Sequence, residues 1–203
     1  MIAALGRLSK GASRILDRAL DQRELEAFGK YLSLLTKWQR VHRLVGSAEP
    51  DWVVDNLFLD SLLFLRVLPR EAISVADLGS GAGFPGIPIK IVKPELDVAL
   101  IEARERRVSF LNAVIRETNL SGVRVVSGRA EELGLTGLFD AVLMRCAGSI
   151  DRVLRVARDL VVPGGRVVVA GPPAVHDIRS GEWLEVEGVR PGSIRRFAVY
   201  TVS

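Results

Sequence analysis

The sequence has little cysteine and histidine and no long apolar run, and each shortage removes a class of function. One cysteine, Cys146, in 203 residues excludes an internal disulfide framework and a multi-cysteine zinc site. The two histidines, His42 and His176, stand far apart, so a histidine-rich metal centre is excluded and neither is expected to act as a ligand. The longest apolar runs, such as Val167–Gly171, are too short to span a bilayer. The opening "MIAALGRLSKGASRIL" carries basic residues but no continuous apolar block, so neither a secretory signal nor a membrane partner is expected and the cytoplasm is the expected compartment. No repeat of fixed period and no low-complexity tract is visible. What remains is a globular composition, 48% hydrophobic and 26% charged, long enough to bury its own core.

The net charge of +4 is unevenly placed. Residues 1–70 carry 11 Lys/Arg against 8 Asp/Glu, residues 71–140 carry 8 against 10, and residues 141–203 carry 9 against 6. Basic flanks around a slightly acidic middle suit an anionic partner gripped beside a small-molecule site. Ordinary surface charge gives the same pattern.

The first 70 residues read as helical. Leu25, Phe28, Leu32, Leu35, Trp38, Val41 or His42, and Val45 recur at spacings of three and four. Pro50 and Asp51 open a second helix that Pro69 stops. From Ile73 the pattern becomes alternating strands, at 73–78, 97–102, 123–127, 139–145 and 166–170, and helices, at 86–93, 104–119, 129–133 and 149–161. Such alternation implies a doubly wound parallel sheet. "WLEVEGV" and "RRFAVYTV" are placed to pair as an antiparallel hairpin at its end. Pro163, Gly164 and Gly165 read as the turn into the fifth strand.

The centre of the pattern is "VADLGSGAGFPG", Val75 to Gly86: a strand, a glycine turn and a helix start, which together cradle a ligand that approaches the backbone. The spacing Gly79-x-Gly81-x-Gly83 departs from the dinucleotide fingerprint G-x-G-x-x-G. Asp77, two residues before the first glycine, would repel a pyrophosphate and suit a cation. S-adenosylmethionine offers a sulfonium and an ammonium and no phosphate. Glu102, at the end of the second strand, stands where an acid accepts hydrogen bonds from ribose hydroxyls in either cofactor class. "GRAEELG" places Ala130 and Glu131 at the mouth of the same crevice.

Together "YLSLLTKWQRVHRLVG", "LDSL", "DLGSGAGFPGIPI", "RRVSFL", "GRAEEL" and "MRCAGSI" resemble the glucose-inhibited division protein B family over almost the whole chain. The resemblance implies an α/β, class I S-adenosylmethionine-dependent methyltransferase (Rossmann-like) fold. Its mostly parallel seven-stranded sheet would end in the antiparallel hairpin, with residues 1–70 as a helical extension and 71–203 as the methyltransferase core. It implies methyl transfer to N7 of a guanine in 16S ribosomal RNA, with the RNA or a ribosomal subunit precursor as partner; no DNA partner is expected, and a monomer is. Carried over by motif, Gly79, Phe84, Ala130, Glu131 and Arg145 fall at cofactor-contact positions. Asp77, Gly81, Gly83 and Glu102 join them from the charge and glycine argument.

Arg145, closing the fourth strand, is expected to be an exposed clamp for cofactor or phosphate, with no general base needed. Lys37, Arg40, Arg43, Arg195 and Arg196 are the expected RNA contacts, and Arg104, Arg106 and Arg107 are divided between solvent and RNA. Cys146 is expected to be a small buried residue. The chain departs from the family's usual residues at Arg43, Val45, Asn56, Leu57 and Ala170, all expected near the RNA-facing side. Two other classes fit the residues: a non-catalytic RNA-binding relative and a nicotinamide-dependent oxidoreductase, the second opposed by Asp77.

Overall fold

The computed structural model describes residues 1–145, 150–171, 178 and 180–203, so Cys146 and His176 lie outside the described residues. Seven strands form one sheet: β1 Ser74–Leu78, β2 Asp97–Glu102, β3 Val123–Ser127, β4 Phe139–Met144, β5 Val161–Ala170, β6 Glu182–Glu187 and β7 Ile194–Thr201. Their order is β3-β2-β1-β4-β5-β7-β6. The first five strands pair in parallel, and β7 pairs antiparallel with both β5 and β6. The C-terminal hairpin therefore closes the sheet as the two apolar runs suggested.

Side chains alternate between two cores, because successive strand residues point to opposite faces. Val75, Val98, Leu100, Ala141, Leu143 and Val168 enter one. Ala76, Ala99, Ile101, Val142, Met144 and Val167 enter the other. With both faces buried, the strands read as near-continuous apolar runs.

The first face is covered by α1 Ile2–Leu16, α2 Gln22–Gln39, α5 Gly86–Val92 and α6 Glu105–Thr118. It is also covered by a helical stretch that changes pitch three times: α3 Pro50–Val53, a π segment Val54–Leu59, α4 Asp60–Leu62 and a 3-10 turn Leu63–Arg66. The second face is covered by α7 Ile150–Leu160 and by the 3-10 turn Ala130–Glu132. No described helix is long and apolar enough to cross a membrane.

The helical extension is welded to the sheet rather than appended to it. In α2 a capping box fixes the start: the Asp21 carboxylate accepts the Glu24 N–H, and Glu24 accepts the Asp21 N–H, each at 2.8 Å. From there Ala27, Phe28, Tyr31, Leu32 and Leu35 are buried against the same core as β1 and β2.

Three details differ from the sequence reading. The apolar stripe of α2 stops at Trp38, since the helix ends at Gln39 and Val41 is 78% exposed. Strand β5 starts at Val161, because Pro163, Gly164 and Gly165 are strand residues beside a register shift between Phe139 and Ala141 of β4. A Cβ at Gly165 would stand 2.6 Å from the Asp140 carbonyl, so the glycine permits a close strand approach there. Finally, the stretch 129–133, read as a helix, holds only a 3-10 turn at Ala130–Glu132.

Candidate active site

The strand order reverses between β2-β1 and β4-β5, which places the end of β1 at a topological switch point. The glycine turn Gly79–Pro85 begins there. Gly79 and Gly81 hold φ values of +73° and +60°, which side chains with a Cβ adopt at a cost. A Cβ on Gly79 would meet nothing within 4 Å, and one on Gly81 nothing nearer than Arg107 Nη1 at 3.7 Å. The backbone at these two positions borders open space, which is what a ligand lying on it requires.

Gly83 and Gly86 serve packing instead. A Cβ on Gly83 would fall 2.5 Å from Ile87 and 2.8 Å from the Tyr31 hydroxyl, and one on Gly86 2.5 Å from Leu100 and 2.9 Å from Asp77. The side-chain direction at Gly83 is therefore filled, which leaves only its backbone for the ligand contact expected there. Phe84 likewise turns its ring into the core, stacked on Tyr31 at 5.3 Å and 15°, so only its backbone is left for a ligand.

Two buried carboxylates brace this turn from below. Glu102, at the end of β2, accepts the Gly81 N–H on Oε2 and the Arg104 N–H on Oε1, both at 2.9 Å, and pairs with Arg107 at 3.5 Å. Asp77 has no exposed surface; its Oδ2 accepts the Gly86 N–H at 2.9 Å while Oδ1 has no hydrogen-bond partner. Asp77 thus reaches the crevice only through the turn that it holds, a different role from the direct cation contact expected. Burial pushes its pKa up to about 7, opposed by the Gly86 hydrogen bond and by Arg145 and assisted by Glu102. Since the Gly86 N–H opens α5, a carboxylate already occupies the place where a pyrophosphate would meet a helix N-terminus.

The sequence reading missed Tyr31. It is fully buried, and its hydroxyl donates to the Ala82 carbonyl in the middle of the glycine turn. Burial pushes its pKa well above the ordinary phenol value, so it remains a donor. The available signal was a phenol on the apolar face of α2, three residues after Phe28, which must find an acceptor when buried.

Arg145 follows β4 but is not an exposed strand-end side chain. Its guanidinium donates to the Asn56 carbonyl and pairs with Asp60 at 3.4 Å, with 22% of the side chain exposed. Burial lowers its pKa and Asp60 opposes that shift. Asp60 also pairs with Arg195 at 3.0 Å, and Arg195 donates to the Gly171 carbonyl at 2.9 Å. Arg196 pairs with Glu185 at 2.7 Å. Arg195 and Arg196 therefore make intramolecular contacts rather than standing free for RNA.

Lys37, Arg40 and Arg43 are exposed around the end of α2. Of the positions that depart from the family pattern, Leu57 is buried in the core, and Val45 and Ala170 pack against it. These three do not face outward as expected. Ala130 is buried, while Glu131 is exposed; both line a groove shared with Arg155 and Asp159 of α7.

A family model described as rRNA small subunit methyltransferase G (GidB) matches residues 24–177. The chain belongs to the GidB family. Its relatives include ribosomal RNA small subunit methyltransferase G of Caldanaerobacter subterraneus subsp. tengcongensis, 37% identical over 166 residues that span 79% of this chain and 69% of that protein. The protein of the same name from Desulfitobacterium hafniense is 33% identical across 95% of this chain and 81% of its own. Among solved structures, a SAM dependent methyltransferase from Aquifex aeolicus aligns with a TM-score of 0.56 at 16% identity, covering 84% of this chain and 98% of that one. The Pyrococcus horikoshii TYW2 structure in complex with MeSAdo aligns with a TM-score of 0.54 at 15% identity, covering 70% and 61%. These two establish the class I, Rossmann-like methyltransferase fold for this GidB protein. Tyr31 and Ala82 both lie within the matched region, so this bracing of the glycine turn falls in the part of the chain that the family model covers.

Proposed function

We propose that the crevice over Gly79–Gly81 holds S-adenosylmethionine and presents it to guanine N7 of small-subunit ribosomal RNA. The observation that carries the cofactor reading is the pair of carboxylates under the turn, Asp77 and Glu102. Asp77 already holds the Gly86 N–H where a dinucleotide's pyrophosphate would sit, Glu102 serves a ribose in either cofactor class, and the bare backbone at Gly79 and Gly81 leaves room above them. Glu102 keeps unused acceptor capacity beyond its bonds to Gly81 and Arg104, which suits ribose hydroxyls. Ala130 and Glu131 would border the adenine, and the backbone of Gly79 and Phe84 the rest of the cofactor.

When bound, the cofactor supplies an electrophilic methyl group on a sulfonium. Guanine N7 has an in-plane lone pair and no proton, so the protein need not supply a base. Its task is orientation, which can remove about 7–11 kcal/mol of a barrier in favourable cases. Methylation leaves positive charge on the purine, and a close unpaired cation would oppose it. Arg145 has Asp60 beside it, which offsets its charge near the crevice while leaving its position fixed. We therefore assign Arg145 to holding the acceptor side of the crevice rather than to contact with N7. The protein is further proposed to act as a monomer in the cytoplasm.

The test is incubation of the protein with labelled S-adenosylmethionine and small-subunit ribosomal RNA, followed by nucleoside analysis. Label in 7-methylguanosine is expected. A protein that binds S-adenosylhomocysteine yet leaves both free RNA and assembled small subunits unlabelled would make it the non-catalytic relative instead.

A further inference from the structure

Two stretches sixty residues apart bring four guanidinium groups to one groove. Arg43 comes from the loop after α2, and Arg104, Arg106 and Arg107 from the start of α6; the groove they line has a volume of about 650 Å³. One carboxylate, Glu105, accompanies them. Elsewhere several arginines are matched by an acid: Arg7 with Asp55, Arg18 with Glu24, Arg66 with Asp17, Arg195 with Asp60, Arg196 with Glu185. Here Arg43, Arg104 and Arg106 are exposed and make no side-chain ion pair or hydrogen bond among the described residues. The one pairing in the groove is the 3.5 Å contact from Arg107 to Glu102.

Like charges gathered in excess of their counter-charges raise the free energy of the folded chain unless an anion joins them. Guanidinium groups suit phosphate in particular, through their planar, two-pronged donor geometry. The groove also has an aromatic wall. The half-buried His42 ring lines it and leans on Trp38, with ring centres 5.5 Å apart. A flat ring beside guanidinium groups fits an unpaired base beside its phosphates, which an acidic peptide would leave unused. The groove adjoins the candidate active site, since Arg107 Nη1 lies 3.7 Å from where a Gly81 Cβ would stand.

We propose that this groove docks a single-stranded stretch of RNA, with Arg43, Arg104 and Arg106 on backbone phosphates and His42 against a base. The assignment rests on ribosomal RNA being the substrate. It replaces Arg195 and Arg196 as the source of charge and extends toward Lys37 and Arg40 at the end of α2.

The experiment is a salt titration of binding to protein-free small-subunit ribosomal RNA, comparing the natural protein with an Arg43→Glu/Arg106→Glu double variant. The variant is expected to bind at least about tenfold more weakly near 0.1 M salt, with a log–log salt slope shallower by about 2. Its S-adenosylhomocysteine affinity, read by calorimetry, should stay within about twofold of the natural protein's. Arg43→Lys/Arg106→Lys should recover most of the slope, and Arg116→Glu, at the far end of α6, should leave it unchanged. If the double variant keeps full RNA affinity and slope while the natural protein binds and methylates RNA, the groove is not the docking site and the proposed function stands. Normal binding to free RNA with loss of binding to assembled subunits would give the groove to a ribosomal protein and overturn the assignment. A natural protein that neither binds nor methylates RNA would remove both readings, and a variant that loses cofactor binding or melting temperature in step would show a structural role instead.

Discussion

Asp77 is a carboxylate with one satisfied oxygen and one orphan, sealed beneath the turn that it supports. Its folded pKa near 7 lies above the ordinary carboxylate value of 3.8, so between those values the folded chain holds a proton that the unfolded chain has released. Stability must then fall as pH rises through that window and level off above it. Asp77→Asn keeps an acceptor for Gly86 and does not ionise. Urea midpoints measured across pH should show the natural protein losing ground to Asp77→Asn from about pH 4 to about pH 7. A constant difference across that range would refute the buried titration. Tyr31 offers a second test at this scale. Tyr31→Phe preserves the stack on Phe84 but strands the Ala82 carbonyl. A loss of about 1–2 kcal/mol in stability is expected. S-adenosylhomocysteine affinity should fall several-fold with it, and methyl transfer at saturating cofactor should change less than KM. An unchanged KM would leave Tyr31 with packing alone.

Among the elements, β1 and β4 carry the switch point, and a single side chain ties their first residues together. Asp140 Oδ2 accepts hydrogen bonds from the Ile73 N–H, the Ser74 N–H and the Ser74 hydroxyl, at 2.8–2.9 Å. Asp140→Ala should lower stability by about 2 kcal/mol, read as a shifted urea midpoint, because three donors lose their acceptor together. A shift within about 0.5 kcal/mol would mean that water replaces the carboxylate without loss.

The succession of strands and helices was legible in the sequence because burial on both faces leaves unbroken apolar runs such as Val98–Ile101, bounded by glycine or charge. The register of β5 was not: Pro163-Gly164-Gly165 is turn chemistry by local rule, and only the neighbouring β4 makes it strand. The place of Glu102 at the end of β2 was legible from the apolar run that it ends, whereas its hydrogen bonds to the Gly81 and Arg104 N–H groups were not. Arg145 and Tyr31 were misjudged or missed because their partners, Asn56 and Ala82, lie 89 and 51 positions away and no local pattern announces them.

At the scale of the whole molecule, Asp60 joins three regions: the helical stretch before β1, the end of β4 through Arg145, and β7 through Arg195. All three side chains are mostly shielded, with Asp60 15% exposed and the arginines 22% and 23%. Removing the shared partner leaves two cations close together without it. Asp60→Ala should therefore destabilise the fold by about 2–3 kcal/mol and lower methyl transfer beyond what the loss of folded protein explains. Activity corrected for the folded fraction is the measurement. Full activity per folded molecule would detach the Arg145 cluster from the reaction.

The Tyr31–Ala82 bond and the core shared by α2 and the sheet have a further consequence, for exchange with solvent. A ligand that binds only the formed turn stabilises every segment whose opening would undo that turn, by about 2.7 kcal/mol at a hundred times its dissociation constant. Here that segment includes α2, although α2 itself lies behind the turn. Amide protons of Phe28–Leu35 should slow their exchange with deuterium when S-adenosylhomocysteine is added, in step with those of Ala82–Ile87, while exposed amides near Ile194 do not respond. Slowing confined to the turn would show that α2 opens on its own and that the two regions are separate cooperative units.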